Sequence, residues 1–242
     1  MNVSKLCLLV AMPAEAKPLI QHFNLVPQDG YFGKLPPLAY TGRYRNIDML
    51  VVVNGQDPQH KVDLVGTQPA TLAAQVAIER FTPDLIINAG TAGAFARNGS
   101  RIGDVYLSHQ HFVFHDRRIP IPGWDTYGAG LYPSFDTTTL AAALGYKQGI
   151  VTTGNSLDMP PIDEQTITQL GGEVKDMEAA ALAWVASLHG IPFFSVKSIT
   201  DLMDSEKTTQ EEFLENLHAA SEALKDACFA IIDHIAEGGL ER

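Results

Sequence analysis

What most constrains this chain is the texture of its apolar stretches. A strand with one face in water alternates apolar and polar residues, whereas a strand buried on both faces of a sheet does not. Leu6-Cys7-Leu8-Leu9-Val10-Ala11-Met12 and Met49-Leu50-Val51-Val52-Val53 are uninterrupted apolar runs. Asp84–Ala89, Gly149–Thr153 and Phe193–Thr200 add further strands, and Asp104–Phe114 another. Helical patterns lie between them, from Pro13 to about Phe23, Thr67 to Arg80, 162 to 170, Asp176 to about His189 and Thr209 to Ala236. Alternating strands and helices predict an α/β fold: three layers, α/β/α, around a central, mostly parallel mixed sheet. A length of 242 residues, 45% hydrophobic and 19% charged, suits one large domain spanning 1–242.

The net charge of -11 argues against a nucleic-acid partner, which calls for clustered Lys and Arg. No apolar run is long enough to span a bilayer, and Met1–Lys5 leads straight into a core strand, so a membrane role is not expected. Cys7 and Cys228 lie on apolar elements far apart and read as reduced, buried side chains of a cytoplasmic protein.

In open α/β sheets ligands collect at the carboxyl ends of strands. Glu15 follows the first strand, and Asp201 ends the strand Phe193–Thr200. Glu178 lies in the first turn of the helix for which Asp176 is the expected N-cap, Gly190 the left-handed cap and Pro192 the stop. Glu15 and Glu178 could each merely stabilise a helix start. Asn88-Ala89-Gly90-Thr91-Ala92-Gly93 reads as a strand breaking into a small-residue turn, against which a flat ligand could lie. Leu157 and Asp158 follow the strand Gly149–Thr153. One crevice could gather all of these.

Other features carry weaker expectations. His109, His111 and His115 share a strand face, but no carboxylate or cysteine cluster joins them, so no metal is expected. Leu72, Val76 and Phe81 are expected to face the sheet, and Met177, Ala181, Val185 and Leu188 fall on one face of a later helix. Lys197 shares a strand face with Asp201 and reads equally as an ion-pair partner for Glu15 or Glu178 or as a surface lysine. The Pro/Gly/aromatic loop Arg117–Tyr132 carries Trp124 and Tyr127 and reads as functional or interfacial.

Four segments now carry a resemblance: Ala11-Met12-Pro13-Ala14-Glu15, Asn88–Gly93, Lys175-Asp176-Met177-Glu178-Ala179-Ala180-Ala181 and Ser198-Ile199-Thr200-Asp201. Together they resemble the nucleoside phosphorylase and hydrolase superfamily, and within it the 5′-methylthioadenosine/S-adenosylhomocysteine nucleosidases. Phe114–Pro122 and Gly154–Met159 look most like the plant-type branch.

The resemblance implies hydrolysis of an N-ribosyl bond without a cofactor. It implies that Glu15 is the base that activates water, that Asp201 is the acid that protonates adenine, and that Glu178 binds the ribose hydroxyls through both oxygens. Met177 would pack on the sugar, Thr91-Ala92-Gly93 and Leu157-Asp158 would border the base, and Met12 and Phe213 the thioalkyl tail. Lys175, Lys197 and Thr200 join this substrate-binding set. A homodimer is implied, with the partner's Pro122–Gly130 loop closing the tail pocket. Phosphorolysis, futalosine hydrolysis and a non-catalytic nucleoside-binding role are the alternatives. Phosphorolysis needs a dianion site, yet Glu15 would repel phosphate.

Overall fold

The computed structural model describes residues 1–238 and residue 240. In chain order the elements are β1 (Lys5–Val10), α1 (Pro13–His22), β2 (Val26–Pro27), β3 (Leu38–Tyr44), β4 (Ile47–Val53), α2 (Thr67–Phe81), β5 (Leu85–Ala94), β6 (Val105–Phe114), α3 (Trp124–Ala129), β7 (Tyr132–Pro133), α4 (Thr138–Leu144), β8 (Lys147–Thr153), α5 (Pro161–Gln169), β9 (Val174–Asp176), α6 (Ala179–Leu188), β10 (Phe193–Leu202) and α7 (Thr209–Gly238).

The apolar runs form the centre of one mixed sheet. β4, β1, β5 and β10 lie side by side and parallel. β6 is parallel to β8 and β8 to β9, while β6 runs antiparallel to β10 and β9 antiparallel to β5. The path β5–β10–β6–β8–β9 therefore closes on itself.

Strand alternation sorts the core into two layers. Cys7, Leu9, Leu50, Val52 and Ile86 face α2 and α6. Their neighbours Leu6, Leu8, Met49, Val51 and Ile87 face the opposite way, onto α1, α4 and α7. Both faces are covered, which is why these strands lack polar alternation. Both cysteines are free and buried. Among the described residues no helix is long and apolar enough to cross a membrane.

Several local expectations change. Ala89–Gly93 is not a turn: β5 runs through to Ala94, held by β10 and, at Gly93 and Ala94, by β9. Val174–Asp176, where Asp176 was expected to open a helix, is the buried strand β9. The N-cap position falls to Glu178 instead of Asp176, but Asp176 Oδ2 still accepts the Ala179 N–H at 2.9 Å. On α2 the buried positions are Ala70, Ala73, Ala74, Ala77 and Ile78, four of them alanine, and Leu72 is exposed. Small residues let α2 approach α6 and the sheet closely, so the larger Leu72 turns outward. Leu188 is likewise exposed at the end of α6.

The histidine row also dissolves. Gln110 adopts φ 57° and the pairing of β6 with β8 slips between Ser108 and Phe112. This bulge breaks the even spacing. His115 lies beyond the strand, buried, with Nδ1 3.0 Å from Thr152 Oγ1. Among the described residues no group of three His, Cys, Asp or Glu is placed to hold a metal.

Candidate active site

Three strand ends and one helix start meet at a cavity of about 290 Å³. Glu15 reaches it from the first turn of α1, where Pro13 opens the helix. Its carboxylate is 2% exposed and fully engaged on one side. Oε1 accepts both the N–H and the hydroxyl of Thr91 at 2.7 Å, and Oε2 accepts the Met12 N–H at 3.2 Å. Burial raises the Glu15 pKa, and the Thr91 donors and Lys197 restrain the rise.

Glu178 stands at the N-cap of α6. Its Oε1 accepts the Gly66 N–H at 2.7 Å, so α2 and α6 both start at this carboxylate. Gly66 has φ +96°, and a Cβ there would lie 2.9 Å from Asn155 Oδ1, so glycine is required. Burial and the neighbouring charge of Asp176 push the Glu178 pKa up to about 7, against the pull of Lys197 and Gly66.

Asp201 points inward because of a bulge in β10. Ile199 pairs with Ala92 and Asp201 with Gly93, leaving Thr200 as the extra residue. Thr200 Oγ1 donates to Asp201 Oδ1 at 2.8 Å. Gly93 makes room: a Cβ there would come within 2.5 Å of Asp201 Oδ2. Burial raises the Asp201 pKa, while Thr200 and Lys175 draw it down.

Two lysines serve these acids. Lys197 is 1% exposed, and its Nζ lies 2.7 Å from Asp176 Oδ2. Burial alone would lower its pKa, but Asp176, Glu178 and Glu15 outweigh burial and raise it. Lys175 donates to the carbonyls of Ser156 and Leu157 at 2.7 and 2.9 Å, so it pins the loop after β8 over the cavity. Burial lowers the Lys175 pKa even with Asp201 and Asp176 nearby.

Of the residues singled out from the sequence, Met12, Glu15, Thr91, Ala92, Gly93, Leu157, Lys175, Met177, Glu178, Thr200, Asp201 and Phe213 line the cavity. Two do not: Asp158 is exposed beyond the wall, and Lys197 lies behind it, salt-bridged to Asp176. Ala11, Asp63, Val65, Asp176, Met203 and Thr209 complete the wall without having been anticipated. Asp63 and Val65 lie on the segment that leaves β4, so the strand-end rule that found Glu15 also points to them. Among the described residues on the wall, Lys175 is the only lysine or arginine.

The model of the phosphorylase superfamily matches residues 5–233. The 5′-methylthioadenosine nucleosidase of Arabidopsis thaliana is 44% identical over 235 residues, covering 96% of this chain and 88% of that protein. The 5′-methylthioadenosine/S-adenosylhomocysteine nucleosidase of the same plant is 41% identical over 236 residues, covering 97% and 92%. An apo structure of Arabidopsis thaliana 5′-methylthioadenosine nucleosidase superposes with a TM-score of 0.95 at 43% identity, covering 98% of both chains. The chain belongs to the phosphorylase superfamily, in its 5′-methylthioadenosine/S-adenosylhomocysteine nucleosidase family.

Proposed function

We propose that this chain hydrolyses the N-ribosyl bond of 5′-methylthioadenosine, releasing adenine and the 5-methylthio sugar, as a step of methionine salvage. The observation that carries this reading is the Glu15 carboxylate, buried at the cavity wall and oriented by Thr91 and Met12. A phosphorolytic enzyme needs cations where the nucleophile enters. Here a carboxylate stands there, and Lys175 is committed to the carbonyls of Ser156 and Leu157. The names of the two Arabidopsis relatives accord with hydrolysis.

The chemistry divides among three acids. As the bond between the sugar carbon and adenine breaks, its electron pair moves onto the base and positive charge grows on the ribose. Asp201, whose pKa burial raises, is the proposed acid and gives a proton to a ring nitrogen of adenine. Glu15 takes a proton from water as the water oxygen bonds to the sugar carbon. Glu178 accepts from the ribose hydroxyls and opposes the cationic charge. One of its oxygens already accepts from Gly66, so Oε2 faces the sugar and the expected use of both oxygens is reduced. Thr91, Ala92, Gly93 and Leu157 border the base, Met177 the sugar, and Met12 and Phe213 the tail. Lys197 acts from behind the wall, through Asp176. No cofactor is called for.

The protein is proposed to act as a homodimer in the cytoplasm. Ile121, Trp124, Tyr127 and Leu131 are all exposed on the loop that carries α3, and such an apolar surface suits a partner. Free, buried cysteines suit a reducing compartment.

Adenine release from 5′-methylthioadenosine, followed for wild type and Asp201→Asn, tests the reading. Wild type is expected to release adenine in phosphate-free buffer, and Asp201→Asn to lose on the order of 10²-fold or more in kcat while remaining folded. A folded Asp201→Asn with wild-type kcat would remove Asp201 as the acid.

A further inference from the structure

Helix α7 covers an open stretch of sheet edge at its amino-terminal end. β6 pairs with β10 only over Val196, Lys197 and Ser198. Beyond that, Ile199 N–H donates to Asp104 O at 2.9 Å and Gly103 N–H to Ile199 O at 2.8 Å, which carries the edge one residue further. Buried backbone groups past this point need other partners. Two side chains of α7 provide them. Asn216 Nδ2 donates to the Thr200 carbonyl at 3.0 Å, and Glu212 Oε2 accepts the Leu202 N–H at 2.6 Å. Asp201 lies between these two grips.

The grip is itself built firmly. Glu212 is buried, and its Oε1 accepts the Ser205 hydroxyl at 2.9 Å. Asn216 also donates to the Glu212 carbonyl at 2.9 Å. The same stretch of helix places Thr209 and Phe213 on the cavity wall.

We propose that Glu212 and Asn216 are positioning residues for Asp201: they hold the peptide groups on either side of it, fix where its carboxyl points and set a negative charge behind it. This rests on Asp201 serving as the acid of the proposed hydrolysis. Several charges face Asp201. Glu212 from α7 favours its proton, Lys175 from β9 opposes it, and Glu15, Glu178, Asp176 and Lys197 stand around the rest of the cavity. β5 presents only Gly93 at this point.

The test separates charge from geometry. Glu212→Gln keeps the length and one oxygen to accept the Leu202 N–H, but removes the charge. Asn216→Ala keeps the charge and frees the Thr200 carbonyl. The readout is kcat against pH for adenine release from 5′-methylthioadenosine, with KM measured alongside and folding checked by circular dichroism. In Glu212→Gln the basic limb, where Asp201 gives up its proton, is expected to move to lower pH with KM little changed. In Asn216→Ala, kcat is expected to fall on the order of tenfold with the basic limb in place. Coincident basic limbs for wild type and Glu212→Gln overturn the proposal, as does Asn216→Ala with wild-type kcat. Should Glu212→Gln fail to fold, Asn216→Ala decides alone. A wild type that releases no adenine defeats the proposed reaction and this inference together, so the two failures are distinguishable.

Discussion

Glu178 shows how a site residue works against the fold that holds it. Burial and Asp176 raise its pKa from the ordinary 4.5 to about 7, so the folded protein prefers the protonated acid. By linkage, that preference stabilises the fold below pH 4.5 and is lost as pH rises through 7. Glu15 and Asp201 are raised in the same direction. In the proposed reaction Glu178 works as the charged form, so the acidic limb of activity is expected near pH 7. Glu178→Gln cannot ionise, yet its amide oxygen can keep the Gly66 donor. It is expected to lose roughly 10²-fold in turnover. It is also expected to flatten the decline in melting temperature that linkage predicts for wild type between pH 4.5 and 7. Turnover like that of wild type, on a folded variant, would take Glu178 out of the site. At this scale the sequence was informative about the three acids, because each follows a strand or starts a helix. It said nothing of Gly66, Asn155 or Glu212, whose partners lie far away along the chain and are set by packing.

The elements explain why three carboxylates can share so small a space. β10 brings Lys197 beside Asp176 of β9, and the lysine also faces the region of Glu15: a Cβ on Gly90 would lie 3.4 Å from Lys197 Nζ and 3.5 Å from Glu15 Oε1. One buried cation therefore stands among three buried acids. Removing one member of such a group leaves uncompensated charge, which typically costs about 3–5 kcal/mol. Lys197→Met is expected to lower the melting temperature substantially and to shift the acidic limb of activity to higher pH, since Glu178 loses a cation that restrains its pKa. A melting temperature equal to that of wild type would contradict the account of this ion pair. The sequence suggested an ion pair for Lys197 but named Glu15 or Glu178, because the short strand β9 reads locally as a turn. Three residues carry too little pattern to be recognised as a strand. The seven residues of α4 were equally silent, and the bulges at Gln110 and Thr200 follow from registers that no local pattern encodes.

At the scale of the whole molecule, the three layers and the parallel centre were legible, since strands buried on both faces leave an unmistakable run of apolar residues. The loop 121–131 read as functional or interfacial from its aromatic and proline content, and a second copy of the chain, which the resemblance implied, is the proposed cover for it. Trp124 and Tyr127 pack edge to face, with centroids 5.9 Å apart, and both remain exposed. Light scattering is expected to give twice the chain mass of 26.3 kDa, and Trp124→Asp to shift the protein toward monomer with loss of activity. A fully active monomer at micromolar concentration would contradict the dimer.

The central claim is that water, activated by Glu15, attacks the sugar. Mass spectrometry of the sugar released from 5′-methylthioadenosine, with and without phosphate, tests this most directly. The account predicts the free 5-methylthio sugar in both cases, at a rate that phosphate does not raise; a sugar phosphate as the main product would contradict it and make Glu15 something other than the base.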